Sequence, residues 1–172
     1  ASELFGIVHF VFFSPEDLNI IKDGPAGRRR FIDLELSQLD KVYFSDLTNY
    51  NRIIQQRNSV LKEAAFKSDL LSTLDIWDMQ LVQYGCKVIA ARRKFVEKLN
   101  HIIQDIHFQL TGEKESIELI YEPNILEERF EETLERQRDR DLKLKSTGTG
   151  PHRDDICFLA NGIDITGYKE RD

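Results

Sequence analysis

The sequence predicts a mainly α-helical chain with short β-strands, an α+β arrangement dominated by a long antiparallel helical hairpin. Three observations predict it. From Leu39 to about Leu71 apolar residues recur mostly three, four or seven apart; from Trp77 to Leu110 the same spacing runs on for longer; and the apolar runs elsewhere are short and rich in β-branched and aromatic residues. A length of 172 residues, with 41% apolar and 10% aromatic side chains, is enough for one ordinary core. No repeat, low-complexity linker or second-domain boundary stands out, so residues 1–172 read as one domain. Within it, 1–38 carry a strand and a helix, 39–110 the helical pair, and 111–172 a return strand, a helix and a hairpin.

Ile7 to Phe13 is β-branched and aromatic with almost no polar alternation, as in a strand covered on both faces. Ser14-Pro15 ends it, and Ser14 or Asp17 is placed to cap a short helix that Pro15 opens. Gly24-Pro25 forces a turn into a packed helix through Arg28-Arg29-Arg30-Phe31-Ile32-Asp33, with Phe31, Leu34 and Leu36 as apolar anchors. The first long helix then presents Tyr43, Leu47, Tyr50, Ile54 and Leu61, and the second presents Trp77, Leu81, Tyr84, Val88, Ala91, Phe95, Leu99, Ile102, Ile106 and Leu110. Joined through Ser72-Thr73-Leu74-Asp75, the two stripes bury one another, with Trp77 in the core. Gly112 stops the second helix. Ile117 to Tyr121 is a strand ended by Pro123, Leu126 to Leu144 is a Glu- and Arg-rich helix with a solvated face, and Asn161-Gly162 turns a hairpin.

A net charge of −6 argues against a surface that holds polyanions over its whole extent, so any DNA contact must be local. Cys86 and Cys157 are isolated from each other and from His pairs, which predicts reduced, packed thiols and neither a zinc site nor a disulfide scaffold. The apolar start is too short for a membrane span and has no basic flank, so the expectation is a cytoplasmic chain that does not engage a membrane.

Two charged runs beside turn-forming prolines are the most specific signals: Phe13-Ser14-Pro15-Glu16-Asp17-Leu18 and Thr149-Gly150-Pro151-His152-Arg153-Asp154-Asp155. With Gly24-Pro25 and the Arg28 to Asp33 run, Gln56-Arg57-Asn58, Trp77-Asp78 and Asn161-Gly162 with Asp164, they occur in an order that resembles the RecF family, ABC-type ATPases of DNA replication and recombinational repair. The resemblance covers nearly the whole chain. It implies an internal segment of such a protein, with the helical pair as the family's protruding arm (domain II) and both ends as parts of an ATPase head lobe. By the same resemblance, ATP and magnesium serve the full-length protein, two heads close on ATP, the dimer holds DNA at gaps, and RecR with RecO helps load RecA, a setting of SOS-linked repair. No GxxxxGK[ST] loop occurs among the 172 residues, and the Ser-Gln-Gly-rich signature and acidic strand of the family are not seen after the Asn161-Gly162 hairpin. The expectation is therefore that this chain holds no cofactor and is not by itself an enzyme.

Several residues carry a functional reading and a bland one. Glu16 and Asp17 are either a carboxylate pair near the nucleotide or its magnesium, or helix-capping acids. His152, Arg153 and Asp154 are either nucleotide-proximal, switching between arm and head, or members of a hydrogen-bonded turn. Arg28, Arg29 and Arg30, with Arg57 and with Arg92, Arg93 and Lys94, are candidates for binding DNA or a partner protein. Three consecutive residues of a helix cannot all face one ligand, so at least one of Arg28 to Arg30 is expected to pair with Asp33 or another acid. For Arg92 to Lys94 the bland reading is a solvated outer face, and for Gln56 to Asn58 it is amides bridging the two helices. The rival functions are a self-associating dimer module, and a metal-dependent nucleotide or DNA hydrolase built on Glu16, Asp17, Asp154 and Asp155.

Overall fold

A computed structural model describes residues 20–21, 24–64, 68–112 and 115–166. The expected strand Ile7 to Phe13 and the pair Glu16 and Asp17 lie outside the described residues. The chain falls into two compact units. A sheet unit lies within Ala1–Lys41, Ala91–Glu122 and Asp154–Asp172, and a helical unit comprises Val42–Ala90 and Pro123–Arg153. The expected segments 1–38, 39–110 and 111–172 do not coincide with these units.

In the sheet unit, α1 (Pro25–Leu39) opens on Pro25 in its first turn, where the missing N–H removes nothing from the helix. Its buried face is Arg28, Ile32, Leu36 and Ser37. Of the anchors expected from sequence only Leu36 is buried, while Phe31 and Leu34 are exposed. The inward face therefore follows i, i+4, i+8 and begins with an arginine. The helix packs on β2 (Asp155–Ala160), which pairs antiparallel with β1 (Ile117–Glu122) from Ile117 opposite Ala160 to Glu122 opposite Asp155. Asn161 (φ 49°) and Gly162 (φ 78°) turn the chain into the two-residue β3 (Ile163–Asp164). Both left-handed conformations are what a two-residue hairpin turn requires, as the Asn-Gly pair predicts. Asn100, on the long helix, donates to Leu119 O (2.7 Å) and accepts from Leu119 N–H (2.7 Å), so its amide serves β1 as a neighbouring strand would. Ile32, Leu36, Val96, Leu119, Ile156 and Cys157 form this core.

In the helical unit, α2 (Lys41–Glu63) runs antiparallel to the first part of α3 (Leu74–Thr111): Asp46 meets Lys87 at 3.3 Å and Arg57 meets Asp78 at 2.6 Å, one index rising as the other falls. The expected hairpin is present with altered boundaries. The first helix ends at Glu63, not near Leu71; a 3-10 turn spans Ser68–Thr73; and α3 begins at Leu74, ahead of Trp77. At 38 residues α3 is about 57 Å long, and it ends before Gly112, whose φ of 62° is the left-handed stop that the glycine predicts. Its buried positions are Leu74, Asp78, Leu81, Gly85, Val88, Ile89, Arg92 and Val96. That line is rotated from the expected one: Trp77 is half-buried, and Ile102, Ile106 and Leu110 are exposed.

The third helix, α4 (Phe130–Leu144), follows a 3-10 turn at Glu127–Arg129 and buries Phe130, Thr133, Leu134 and Asp141. Its remaining face is largely exposed and charged, as expected. The apolar core of this unit is Tyr43, Tyr50, Ile53, Leu61, Leu74, Leu81, Val88, Ile89, Phe130 and Leu134. Phe130 fits because position 85 is glycine: a Cβ there would stand 2.5 Å from Phe130 Cε1.

Candidate functional site: two buried charge networks

Of the charged residues singled out in the sequence, Arg28, Arg29, Arg92, Asp154 and Asp155 enter a network in the sheet unit and Arg57 one in the helical unit. In the helical unit Arg57 occupies a core position of the α2 stripe, between Ile53 and Leu61, and is 0% exposed. A guanidinium there requires anionic partners. Nε donates to Asp78 Oδ1 at 2.6 Å, and Nη1 donates to Asp141 Oδ2 at 2.7 Å and to Thr147 Oγ1 at 3.0 Å. Arg138 donates to Asp78 Oδ2 and to Asp75 Oδ1, each at 2.7 Å. Burial pulls the Arg138 guanidinium down, yet its bonds to Asp78 and Asp75 hold it above its ordinary value.

These side chains also fix the loop from Lys145 to Arg153. Lys145 closes α4 in the left-handed conformation (φ 55°), its N–H directed at Asp141 O and Leu142 O. Asn58 Oδ1 accepts from Thr147 N–H (2.7 Å) and Oγ1 (2.8 Å); Asp141 Oδ1 accepts from Gly148 N–H (3.0 Å); Asn124 Oδ1 accepts from Gly150 N–H (3.1 Å). Asn58 therefore serves this loop and is not a bridge between the paired helices. His152 Nε2 lies 3.0 Å from Thr147 O, which only accepts, so that nitrogen carries the proton. Nδ1 lies 2.8 Å from the Tyr50 hydroxyl, the second hydrogen bond that fixes the ring. Gly150, at φ 136°, is where a side chain would strike that hydroxyl.

In the sheet unit the partners are Asp33, Asp154 and Asp155. Arg28 makes a two-pronged bond to Asp155, Nε and Nη2 each 2.8 Å from a carboxylate oxygen. Arg29 Nη1 donates to Asp154 O at 2.6 Å. Arg92 donates through Nη2 to Asp33 (2.8 Å) and through Nη1 to Asp154 Oδ2 (2.9 Å), and Tyr121 donates to the same Asp154 oxygen. Asp154 is 1% exposed. Burial, then the Asp154 charge, pushes the Tyr121 hydroxyl well above its ordinary value. Arg29 is lowered by burial and by the neighbouring Arg92 charge.

Asp155 shows the opposite balance. Burial lifts its carboxyl, but the Arg28 bonds and the Ile156 amide outweigh that and hold it below the usual range. A depressed carboxylate contributes stability above its unfolded value, about 3.9, and loses that contribution as pH falls through the folded value. Urea midpoints of the parent chain are therefore expected to fall between about pH 5 and pH 3 more steeply than those of Asp155→Asn. Parallel acid limbs would remove Asp155 as a source of acid sensitivity.

Of the candidates for contact with DNA or a partner, Arg28, Arg57 and Arg92 are each buried and bound to carboxylates of their own unit, as in the bland reading of a paired arginine. For Arg92 the solvated-face reading is corrected. Arg93 and Arg29 are half-buried, while Arg30, Lys94 and Arg153 are exposed. Asp78, Asp141, Tyr121, Tyr50 and Thr147 complete the networks and were not singled out as functional. Their available signal was a polar residue at a stripe position, which Asp78 on α3 and Arg57 on α2 both provide. Among the described residues, no group of three or more His, Cys, Asp or Glu side chains is placed to hold a metal ion, and no helix is long and apolar enough to cross a membrane. Cys86 and Cys157 are free thiols, both pushed up by burial.

No protein-family model matches the chain. It is 59% identical over 168 residues to the DNA replication and repair protein RecF of Agathobacter rectalis, a match covering 98% of the chain and 46% of that protein. Against the RecF of Lachnospira eligens it is 56% identical over 170 residues, covering 98% and 47%. The fold matches a solved structure of the recombination mediator protein RecF with ATP in the RecFOR pathway, with a TM-score of 0.86 and 36% identity over 97% of this chain and 47% of that one. A related structure, described as RecF-ATPrS, gives a TM-score of 0.88 at 35% identity, over 99% and 48%. The chain spans about half the length of the curated relatives it matches.

Proposed function

We propose, on the premise that the chain belongs to the RecF family and spans about half the length of its curated members, that it serves recombinational DNA repair by binding. It is the arm-bearing middle of such a protein and docks RecR, with RecO, or DNA in support of ATP-dependent loading of RecA at gaps. The observation that carries this reading is the separation of its arginines. Arg28, Arg57 and Arg92 brace the fold, which leaves Arg30, Lys94 and Arg153 facing outward to meet a ligand.

The loop from Thr147 to Gly150 does not offer a triphosphate cradle. Such a cradle needs unpaired backbone amides and a basic group that converge. Here the amides of the glycine-rich loop, Gly148 and Gly150, are taken by Asp141 and Asn124, while Asp154 and Asp155 are bound by Arg92, Tyr121 and Arg28. ATP and its magnesium therefore belong, in this reading, to the remainder of a full-length relative. Arg153 is the exposed member of the Gly150 to Asp155 run and the one placed to reach a phosphate there, with His152 and Asp154 positioning the chain on either side of it.

The net charge of −6 makes a protein partner the better occupant of the sheet unit's basic residues and confines any DNA contact to a local patch. The purified chain is to be titrated with RecR and, separately, with gapped duplex DNA at two salt concentrations. Arg30→Glu with Lys94→Glu is expected to weaken RecR binding about tenfold, or about 1.4 kcal/mol, with the melting temperature unchanged. Undiminished affinity would take both residues out of the interface, and no binding to either ligand would sink the binding reading.

A further inference from the structure

We infer that the helical unit carries a binding site for the phosphodiester backbone of a nucleic-acid strand, formed by α4 and the loop that follows it. A cavity of about 400 Å³ opens there, lined by Arg129, Arg136, Arg140, Asn124, Gln137 and Thr149 among others, with no carboxylate in its wall. Three guanidiniums and no acid is an unusual local balance in a chain whose net charge is −6.

The sequence places them together. Arg129, Arg136 and Arg140 are seven and four residues apart, which at 3.6 residues per turn puts them along one ridge. Glu131 and Glu135 turn to the other side, where with Asp75, Asp78 and Arg138 they line a separate cavity of about 130 Å³. From Arg129 to Arg140 the ridge is about 16 Å long at 1.5 Å per residue, which spans several phosphates of a strand carrying one charge per ~3.4 Å. The opposite wall is rigid: Thr149 donates to Gln137 Oε1 at 2.8 Å, and Gly150 N–H is held by Asn124.

A nucleic-acid backbone suits this lining better than an acidic protein segment. Protein interfaces draw their affinity from aromatic and apolar anchors, and the only large apolar side chain in this wall is Ile125. Backbone binding needs charge and hydrogen-bond donors alone, and arginine's planar fork matches two phosphate oxygens at once. The inference deepens the binding reading given above and rests on it, assigning to the helical unit the local patch that the overall acidity demands.

The test is fluorescence anisotropy of the 172-residue chain with a fluorescein-labelled single-stranded oligodeoxynucleotide at about 50 and about 200 mM salt. Arg136→Gln with Arg140→Gln is compared with Arg52→Gln with Lys62→Gln, a pair on α2 that removes the same charge outside the cavity. The first pair is expected to weaken binding at least tenfold and to flatten the salt slope by about 1.4, the share of two phosphates on a single strand; the second pair is expected to leave both within about twofold. Equal weakening by both pairs, undiminished binding by the first, or no binding by the parent chain overturns the site. Binding of polyglutamate in place of the oligonucleotide, abolished by the first pair, would overturn it in favour of an acidic protein partner. RecR binding that responds to Arg30 and Lys94 while the oligonucleotide ignores Arg136 and Arg140 would leave the broader reading standing and remove this one.

Discussion

Arg57→Met is expected to lower the unfolding free energy by about 3–5 kcal/mol, because it strands Asp141 in the interior without its counter-charge and leaves Asp78 with Arg138 alone. The side chain is 0% exposed and holds both carboxylates at 2.6–2.7 Å. Methionine replaces the aliphatic bulk, so the loss comes from the missing counter-charge and not from a cavity. A second substitution separates the two effects. Asp141→Asn added to Arg57→Met removes the stranded charge yet keeps an oxygen for Gly148 N–H, so the double variant is expected to recover at least about 1 kcal/mol, a non-additivity proper to directly bonded neighbours. Denaturant midpoints measure both. Strict additivity would show that Arg57 acts through its volume alone.

Phe130→Ala is expected to cost about 3–5 kcal/mol through loss of transfer energy and the cavity left behind. The ring is fully buried, and it lies where Gly85 and Gly150 leave room: a Cβ at position 85 would meet Phe130 Cε1 at 2.5 Å, and one at position 150 would meet Phe130 Cζ at 3.0 Å. Gly85→Ala in the parent overpacks this spot and is expected to cost about 1–3 kcal/mol. In the Phe130→Ala background the same methyl enters vacated space, leaving a favourable coupling of about 1–2 kcal/mol. Thermal melts of the four variants of this cycle give the coupling directly, and a value near zero would mean that the ring and the glycine do not share the contact.

Much of the architecture was legible in the sequence. The antiparallel helical pair, the Gly112 stop, the strand at Ile117, the charged helix before Leu144 and the Asn161-Gly162 hairpin all follow from local rules, and the structure contains each of them. The site was less legible because the stripe rule discards polar residues. Read by apolar spacing alone, α3 turns Trp77, Tyr84 and Phe95 inward; read with Asp78, Gly85 and Arg92 allowed on the line, the buried face becomes Leu74, Asp78, Leu81, Gly85, Val88, Arg92 and Val96. A charge at a stripe position announces a buried partner, but nothing local identifies it. Arg57 finds Asp141 and Arg28 finds Asp155, at sequence separations of 84 and 127 residues, and only tertiary packing brings such groups together. The same limit applies to Arg28 to Arg30, where one-dimensional adjacency hides three different fates.

The loop between Thr147 and Gly150 has a consequence for protein engineering. Three of its four backbone amides are answered by the side chains of Asn58, Asp141 and Asn124, so its conformation is written mostly outside its own sequence. Transplanted alone onto another helical scaffold, the segment would carry its glycines but leave buried donors unanswered, each at about 1–3 kcal/mol. It is portable only together with those three residues, of which Asn58 and Asn124 lie on other segments, and a chimera that respects the helix boundaries but not that set would separate the loop from what shapes it.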